Sequence, residues 1–303
     1  MRILVTGGAG FIGRHVINEL LQGDYHVSVI DLEPFDQTDL DNQVHYYCAD
    51  ITKDVTAIFE QEKPDIVIHL AAQVDVSKSV KDPMLDASTN ILGTLNILEN
   101  CKKQQVKKII YASSAAIYGE PTYLAIDENH PKSPNSFYGV SKLTAESYIE
   151  TFAALHGLNY TILRYANVYG PGSLRIEDGN VISRFIDKLT SDNSPTIFGD
   201  GEQSRDFIFV KDVARANVAA ITQGDRQTVN ISTNNPTTLN ELVDKLNIIL
   251  EKNQKATYLP SRIGDISHSF LSNELAREKL NWESSYSLER GLRLMVAELK
   301  NIN

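Results

Sequence analysis

The run Ile3-Leu4-Val5-Thr6 passes directly into Gly7-Gly8-Ala9-Gly10-Phe11-Ile12-Gly13, and a helical pattern follows at once. Glycines at this spacing permit a tight turn, let the main chain approach a pyrophosphate, and let the helix pack closely on the sheet. The N–H groups at the helix start, around Phe11 and Ile12, then face an anion. Asp31 ends the next strand, eighteen residues beyond Gly13. A carboxylate there accepts both hydroxyls of an adenosine ribose and repels a 2′-phosphate. Glu33 and Asp36 add negative charge, so the expected cofactor is NAD rather than NADP. Asp50-Ile51, after the third strand, is placed to contact the adenine, although an acid ending a strand also serves as a turn former.

Short β-branched runs recur at Ile3–Thr6, Val27–Ile30, Val44–Tyr47, Ile66–Leu70, Lys108–Ala112 and Tyr160–Leu163, with helical patterns at Phe11–Leu21, Leu85–Cys101 and Phe137–His156. Such alternation implies right-handed crossovers and a doubly wound parallel sheet, an α/β Rossmann architecture. After Arg164 the rhythm changes to a Gly- and Pro-rich loop, a helix over Val181–Leu189 and short strands near Thr196–Phe198 and Asp206–Phe209. Helices follow at Leu239–Leu250, Asn273–Leu280 and Leu288–Leu299, with Ser272 reading as the cap of the second. The expected division is a cofactor domain over 1–166 and a smaller substrate lobe over 167–303, with the chain returning to the large sheet near 211–232.

A net charge of −10 argues against binding nucleic acid or anionic membranes, so any anionic ligand must meet local arginines. Two cysteines, Cys48 and Cys101, make neither a disulfide framework nor a zinc set. No segment reaches the roughly 20 apolar residues that span a bilayer, and a cytoplasmic enzyme is expected. His15, His26, His45 and His156 show no metal spacing, and no metal is expected.

Tyr138 and Lys142 lie four apart in Phe137-Tyr138-Gly139-Val140-Ser141-Lys142, on one face of a helix. An ammonium beside a phenol favours the phenolate, so the tyrosine is expected to titrate below its ordinary value near 10. Ser113-Ser114 closes the fifth strand, at the carboxyl edge of the sheet where ligands gather.

Together these residues resemble the extended short-chain dehydrogenase/reductase family, in its nucleotide-sugar epimerase branch, over nearly the whole chain. The resemblance implies hydride chemistry at a sugar carbon, with Tyr138 as acid/base, Ser114 orienting the hydroxyl and Lys142 holding the nicotinamide ribose. It also implies that Leu70, Ala71 and Ala72 flank the cofactor and that Asn90 is structural. Arg205, within Gly201–Val213, would bind the diphosphate with Arg262, and Asp265 the nucleotide ribose. Asn167 would bond the diphosphate, and Asn180 and Val181 the base, although Asn180, standing before an apolar helix, also reads as only a helix cap. The turn Ser114-Ala115-Ala116-Ile117-Tyr118-Gly119 lacks the acid that 4,6-dehydratases and uronate decarboxylases place there. The expected reaction is therefore 4-epimerisation of a UDP-hexose through a 4-keto sugar. Ser269 stands where some epimerases carry a tyrosine crowding the sugar's C2 substituent, which admits N-acetylhexoses. The alternatives are a nucleotide-sugar 4-ketoreductase and a non-catalytic NAD sensor. In relatives the helices at Leu85–Cys101 and Phe137–His156 pack across a two-fold axis, which implies a homodimer.

Overall fold

The computed structural model describes residues 1–33, 44–173, 180–261 and 266–302. Its first half runs β1 (Arg2–Thr6), α1 (Phe11–Leu20), β2 (His26–Asp31), β3 (Val44–Cys48), α2 (Thr56–Glu62), β4 (Ile66–His69), α3 (Val76–Lys81), α4 (Pro83–Ala87), a π-helical turn (Ser88–Gly93), α5 (Thr94–Lys103), β5 (Lys108–Ser114), α6 (Phe137–His156) and β6 (Asn159–Tyr165). Then follow β7 (Asn167–Tyr169), α7 (Val181–Thr190), β8 (Thr196–Phe198), β9 (Ser204–Phe209), α8 (Val210–Ala219), β10 (Gln227–Ile231), β11 (Pro236–Thr238), α9 (Leu239–Leu250), β12 (Thr257–Leu259), β13 (His268–Ser269), α10 (Glu274–Leu280) and α11 (Leu288–Ile302).

Among the described residues seven strands form one parallel sheet in the order β10-β6-β5-β4-β1-β2-β3, the Rossmann arrangement expected. Alternation along β1 shows why it is doubly wound. Ile3 and Val5 join one buried cluster with Val16 and Ile17 of α1 and Val213 of α8. Leu4 joins another with Phe59 of α2, Ile97 of α5 and Ile149 of α6. A strand apolar on both faces can be covered only by helices on both sides. The return of the chain as β10 beside β6 is as expected.

A smaller assembly forms beside the carboxyl edge. There β9 pairs with β7, β11 and β13, and β8 with β12, over a third cluster that includes Phe185, Phe209, Leu242 and Met295.

Two local expectations differ from the structure. The helix over Leu85–Cys101 is interrupted by the π-helical turn, where the Asn90 side chain is drawn inward to bond the Gln73 backbone and Asp86. Helix α10 starts at Glu274, not Asn273: Asn273 donates its side-chain amide to Ser232 O at 3.0 Å, and Ser272 Oγ accepts only a long 3.4 Å bond from Glu274 N.

Candidate active site

The glycine loop and the exit of β4 interlock. Gly7 adopts φ +73°, and a Cβ there would lie 2.6 Å from Ala71 N. A Cβ on Gly13 would lie 2.2 Å from Gly7 O, so the start of α1 needs glycine to seat on the loop. Ala71 N donates to Thr6 Oγ1 at 3.3 Å, and Leu70 N to Thr6 O at 3.0 Å. Gly10 is exposed, and the helix start above it has no side-chain cap and no acid in its first turn. What remains is an open cradle of main-chain donors at the positive end of a helix dipole. Asp31 lies across it, Oδ2 accepting from Ala9 N at 2.8 Å. These residues fit a dinucleotide. Asp50 Oδ1 accepts from Thr52 N at 2.8 Å, the turn-forming role the sequence left open, and Ile51 is buried beneath it.

The chemical groups meet at the ends of β5 and α6. Ser136 caps α6, its Oγ accepting from Gly139 N at 3.1 Å. Gly139 lets this first turn approach the main chain after β5, for a Cβ would stand 2.5 Å from Ala116 O. Tyr138 is thereby brought towards Ser114, whose hydroxyl acts against burial to favour the phenolate. Tyr138 N also donates to Ser79 Oγ at 3.2 Å. One turn on, Lys142 Nζ donates to Ala112 O at 2.9 Å and stands 5.9 Å from the centre of the Tyr138 ring.

The electrostatics differ from the expectation. Burial pushes the Tyr138 phenol up to about 12, partly offset by the Ser114 bond. Burial pulls Lys142 down to about 8, with Asp86 and Glu146 opposing. Both shifts have one cause: each charged form has lost water, and the ammonium is held by a β5 carbonyl rather than by the phenol.

Buried polar chains hold this geometry. Asn90 Nδ2 donates to Ser141 Oγ at 3.0 Å, and Ser141 Oγ donates to Tyr138 O at 3.0 Å, which ties α6 to the π-helical turn. Glu146 accepts from Ser113 Oγ at 2.5 Å and pairs with Arg164 at 2.7 Å, both charged side chains being 2% exposed. His69 bonds Thr6 Oγ1 at 2.6 Å and Thr94 Oγ1 at 3.0 Å, and burial pulls it down to about 3, so its ring is neutral.

Beyond β6 the chain passes through Ala166 into β7, which opens with Asn167, and β9 lies alongside. Asn167, Asn180, Val181 and Arg205 line one cleft of about 370 Å³. Asn180 is also the expected cap, Oδ1 accepting from Ser183 N at 3.0 Å. The same cleft is lined by Arg184, Lys188 and Phe198, which sequence reasoning missed; the two cations lie four apart on α7 and so share a face, a signal available in the sequence. Arg262 and Asp265 lie outside the described residues. The absence of metal spacing is a statement about sequence only: the fold gathers His26 and His45, nineteen residues apart, with Glu62.

The profile of the NAD dependent epimerase/dehydratase family matches residues 3–232. A putative UDP-glucose 4-epimerase of Methanocaldococcus jannaschii is 42% identical over 99% of both chains. The UDP-glucose 4-epimerase of Thermotoga maritima, solved with UDP-glucose, superposes with a TM-score of 0.95 at 42% identity, covering 100% of this chain and 99% of the other. That of Thermus thermophilus, solved with NAD, gives 0.92 at 33% identity with both chains fully covered.

Proposed function

The chain belongs to the NAD dependent epimerase/dehydratase family, and from that premise we propose that it is an NAD-dependent isomerase that epimerises a UDP-hexose at C4 through a transient 4-keto sugar. The observation that carries this is the meeting of Ser114, Tyr138 and Lys142 beside the glycine cradle, with Arg205, Asn167 and Asn180 in a cleft at the same edge.

Gly7, Gly10, Phe11, Ile12 and Gly13 hold the pyrophosphate of NAD, Asp31 the adenosine ribose, Asp50 and Ile51 the adenine, and Leu70–Ala72 the far wall. When bound there, NAD would supply the hydride acceptor and donor for the sugar's C4 and a positive nicotinamide charge that would favour the phenolate. Ser114 orients the 4-hydroxyl. Tyr138 takes that hydroxyl's proton as the carbonyl forms and gives it back when the turned-over keto sugar is reduced. Lys142, held by the Ala112 carbonyl, holds the nicotinamide ribose. Arg205 and Arg262 grip the diphosphate with Asn167, Asp265 binds the nucleotide ribose, and Asn180 and Val181 hold the base.

No net oxidation occurs, so the enzyme works with nothing added. Purified protein should interconvert UDP-glucose and UDP-galactose without added cofactor. A 4-ketoreductase would instead need NADH or NADPH and a keto sugar, and inertness toward both the plain and the N-acetyl UDP-hexoses would refute the assignment. A non-catalytic NAD sensor is disfavoured because it has no use for the three converging groups.

Ser269 pairs with Arg205 in the β13–β9 ladder, which supports its assignment beside the sugar. It leaves room for an N-acetyl group at C2. Ser269→Tyr should lower activity on the N-acetyl pair relative to the plain pair, and an unchanged ratio would remove this point.

Residues 1–166 with 211–232 make the cofactor domain, and 167–303 otherwise the substrate lobe. The functional unit is a homodimer. Leu92 in the π-helical turn and Val140, Tyr148 and Leu155 on α6 are exposed apolar side chains on the two helical segments beside one another, and a second copy covers them. No described helix is long and apolar enough to cross a membrane. We place the enzyme in the cytoplasm, where nucleotide sugars are made and a free thiol such as the exposed Cys48 persists.

A further inference from the structure

At the opposite edge of the sheet from the cradle, three side chains converge that the reaction does not use. His26 is the first residue of β2, His45 the second of β3, and Glu62 the last of α2. In the parallel register Ser28 lies beside His45, so His26 and His45 belong to the same face of the sheet, the face covered by α2. Their rings meet edge to face at 4.8 Å. One ligand atom from each of the three residues falls within 4.8 Å of the other two.

We propose that His26, His45 and Glu62 form a binding site for a divalent transition-metal ion of the zinc class. The carboxylate gives the independent reason. Its side chain is only 5% exposed, and Oε1 takes both of its described bonds, from Tyr47 Oη at 2.5 Å and His45 Nδ1 at 3.2 Å. Among the described residues no lysine or arginine pairs with it, and it stands at the negative end of α2. A buried carboxylate without a fixed cation is costly, and a metal ion supplies the missing charge. Two imidazoles with one carboxylate suit zinc, water completing four-fold coordination. Both histidines are exposed, so their rings can turn to close on an ion while Glu62 stays fixed. Tyr47, bonded to the carboxylate, orients it from behind. The ion clips the edge strand β3 to β2 and α2. It lies about 17 Å from Asp31, five residues along β2, and takes no part in the proposed reaction.

Full-length protein stripped with EDTA and dialysed is titrated with Zn²⁺ by calorimetry and with Co²⁺ by visible absorption. One ion per chain is expected, with the intense bands of four-coordinate cobalt. His26→Ala, His45→Ala and Glu62→Gln should each weaken binding by more than about 10-fold, whereas His156→Ala should not. Isomerase activity without added metal should be unchanged in the two histidine variants, which also keep the test decisive should Glu62→Gln fold poorly. No binding by the wild-type chain, or binding that survives both histidine substitutions, would overturn the site.

Discussion

At the residue scale, Tyr138 is the proposed acid/base. Tyr138→Phe removes the acid/base and leaves the ring packed, so kcat should fall about 10²–10⁴-fold with KM little changed, as initial rates on UDP-glucose will show. His69 makes a separate prediction about pH. Its folded-state value is about 3 against an ordinary 6.5, so between these values the unfolded chain binds the extra proton. Its contribution is complete above about pH 6.5 and declines as pH falls toward 3, by about 1.4 kcal/mol per pH unit. Asp206 works the other way. Burial raises it to about 6, so the folded chain binds the extra proton between there and its usual 3.8, and stability rises as pH falls through that range. Urea titrations of a His69→Gln variant should therefore show a stability less lowered by acid than the wild type's. Equal pH dependence in the two proteins would contradict the buried neutral ring.

At the scale of elements, the Glu146–Arg164 pair couples α6, which carries Tyr138 and Lys142, to β5 and β6. Removing one partner strands the other charge in the core. Arg164→Met should cost about 3–5 kcal/mol in urea unfolding, and the double variant with Glu146→Leu should recover part of it. Neither residue drew attention in the sequence as a pair, because eighteen positions separate them and only the packing of α6 against β6 brings them together. The glycine loop, Asp31, Ser114 and the Tyr138/Lys142 pair were legible because their geometry is local: a turn, a strand end, one helical turn. The broken helix at Ser88–Gly93 was not, since its cause is Asn90 reaching the Gln73 backbone across the fold. The expected lowering of the Tyr138 phenol fails for a related reason. Sequence spacing gives the four-residue interval but neither the burial of both groups nor the Ala112 carbonyl that holds the ammonium.

For the whole molecule, alternation of strand and helix was enough to predict a sheet covered on both faces, and the switch after Arg164 enough to predict a second, smaller assembly. The short strands β7, β11 and β13 escaped notice because they are set by pairing with β9 rather than by their own composition. The proposed homodimer is tested by charging its apolar face. Leu92→Glu with Leu155→Glu should sediment as a monomer while the wild type sediments as a dimer, and a wild-type monomer would refute the assembly. The central claim is that the hydrogen on C4 leaves the sugar and returns within one closed site. UDP-glucose deuterated at C4, incubated with the purified protein in ordinary water without added cofactor, should give UDP-galactose that keeps its deuterium. Product formed with loss of the label to solvent, or no product until a reduced nicotinamide is added, would contradict it.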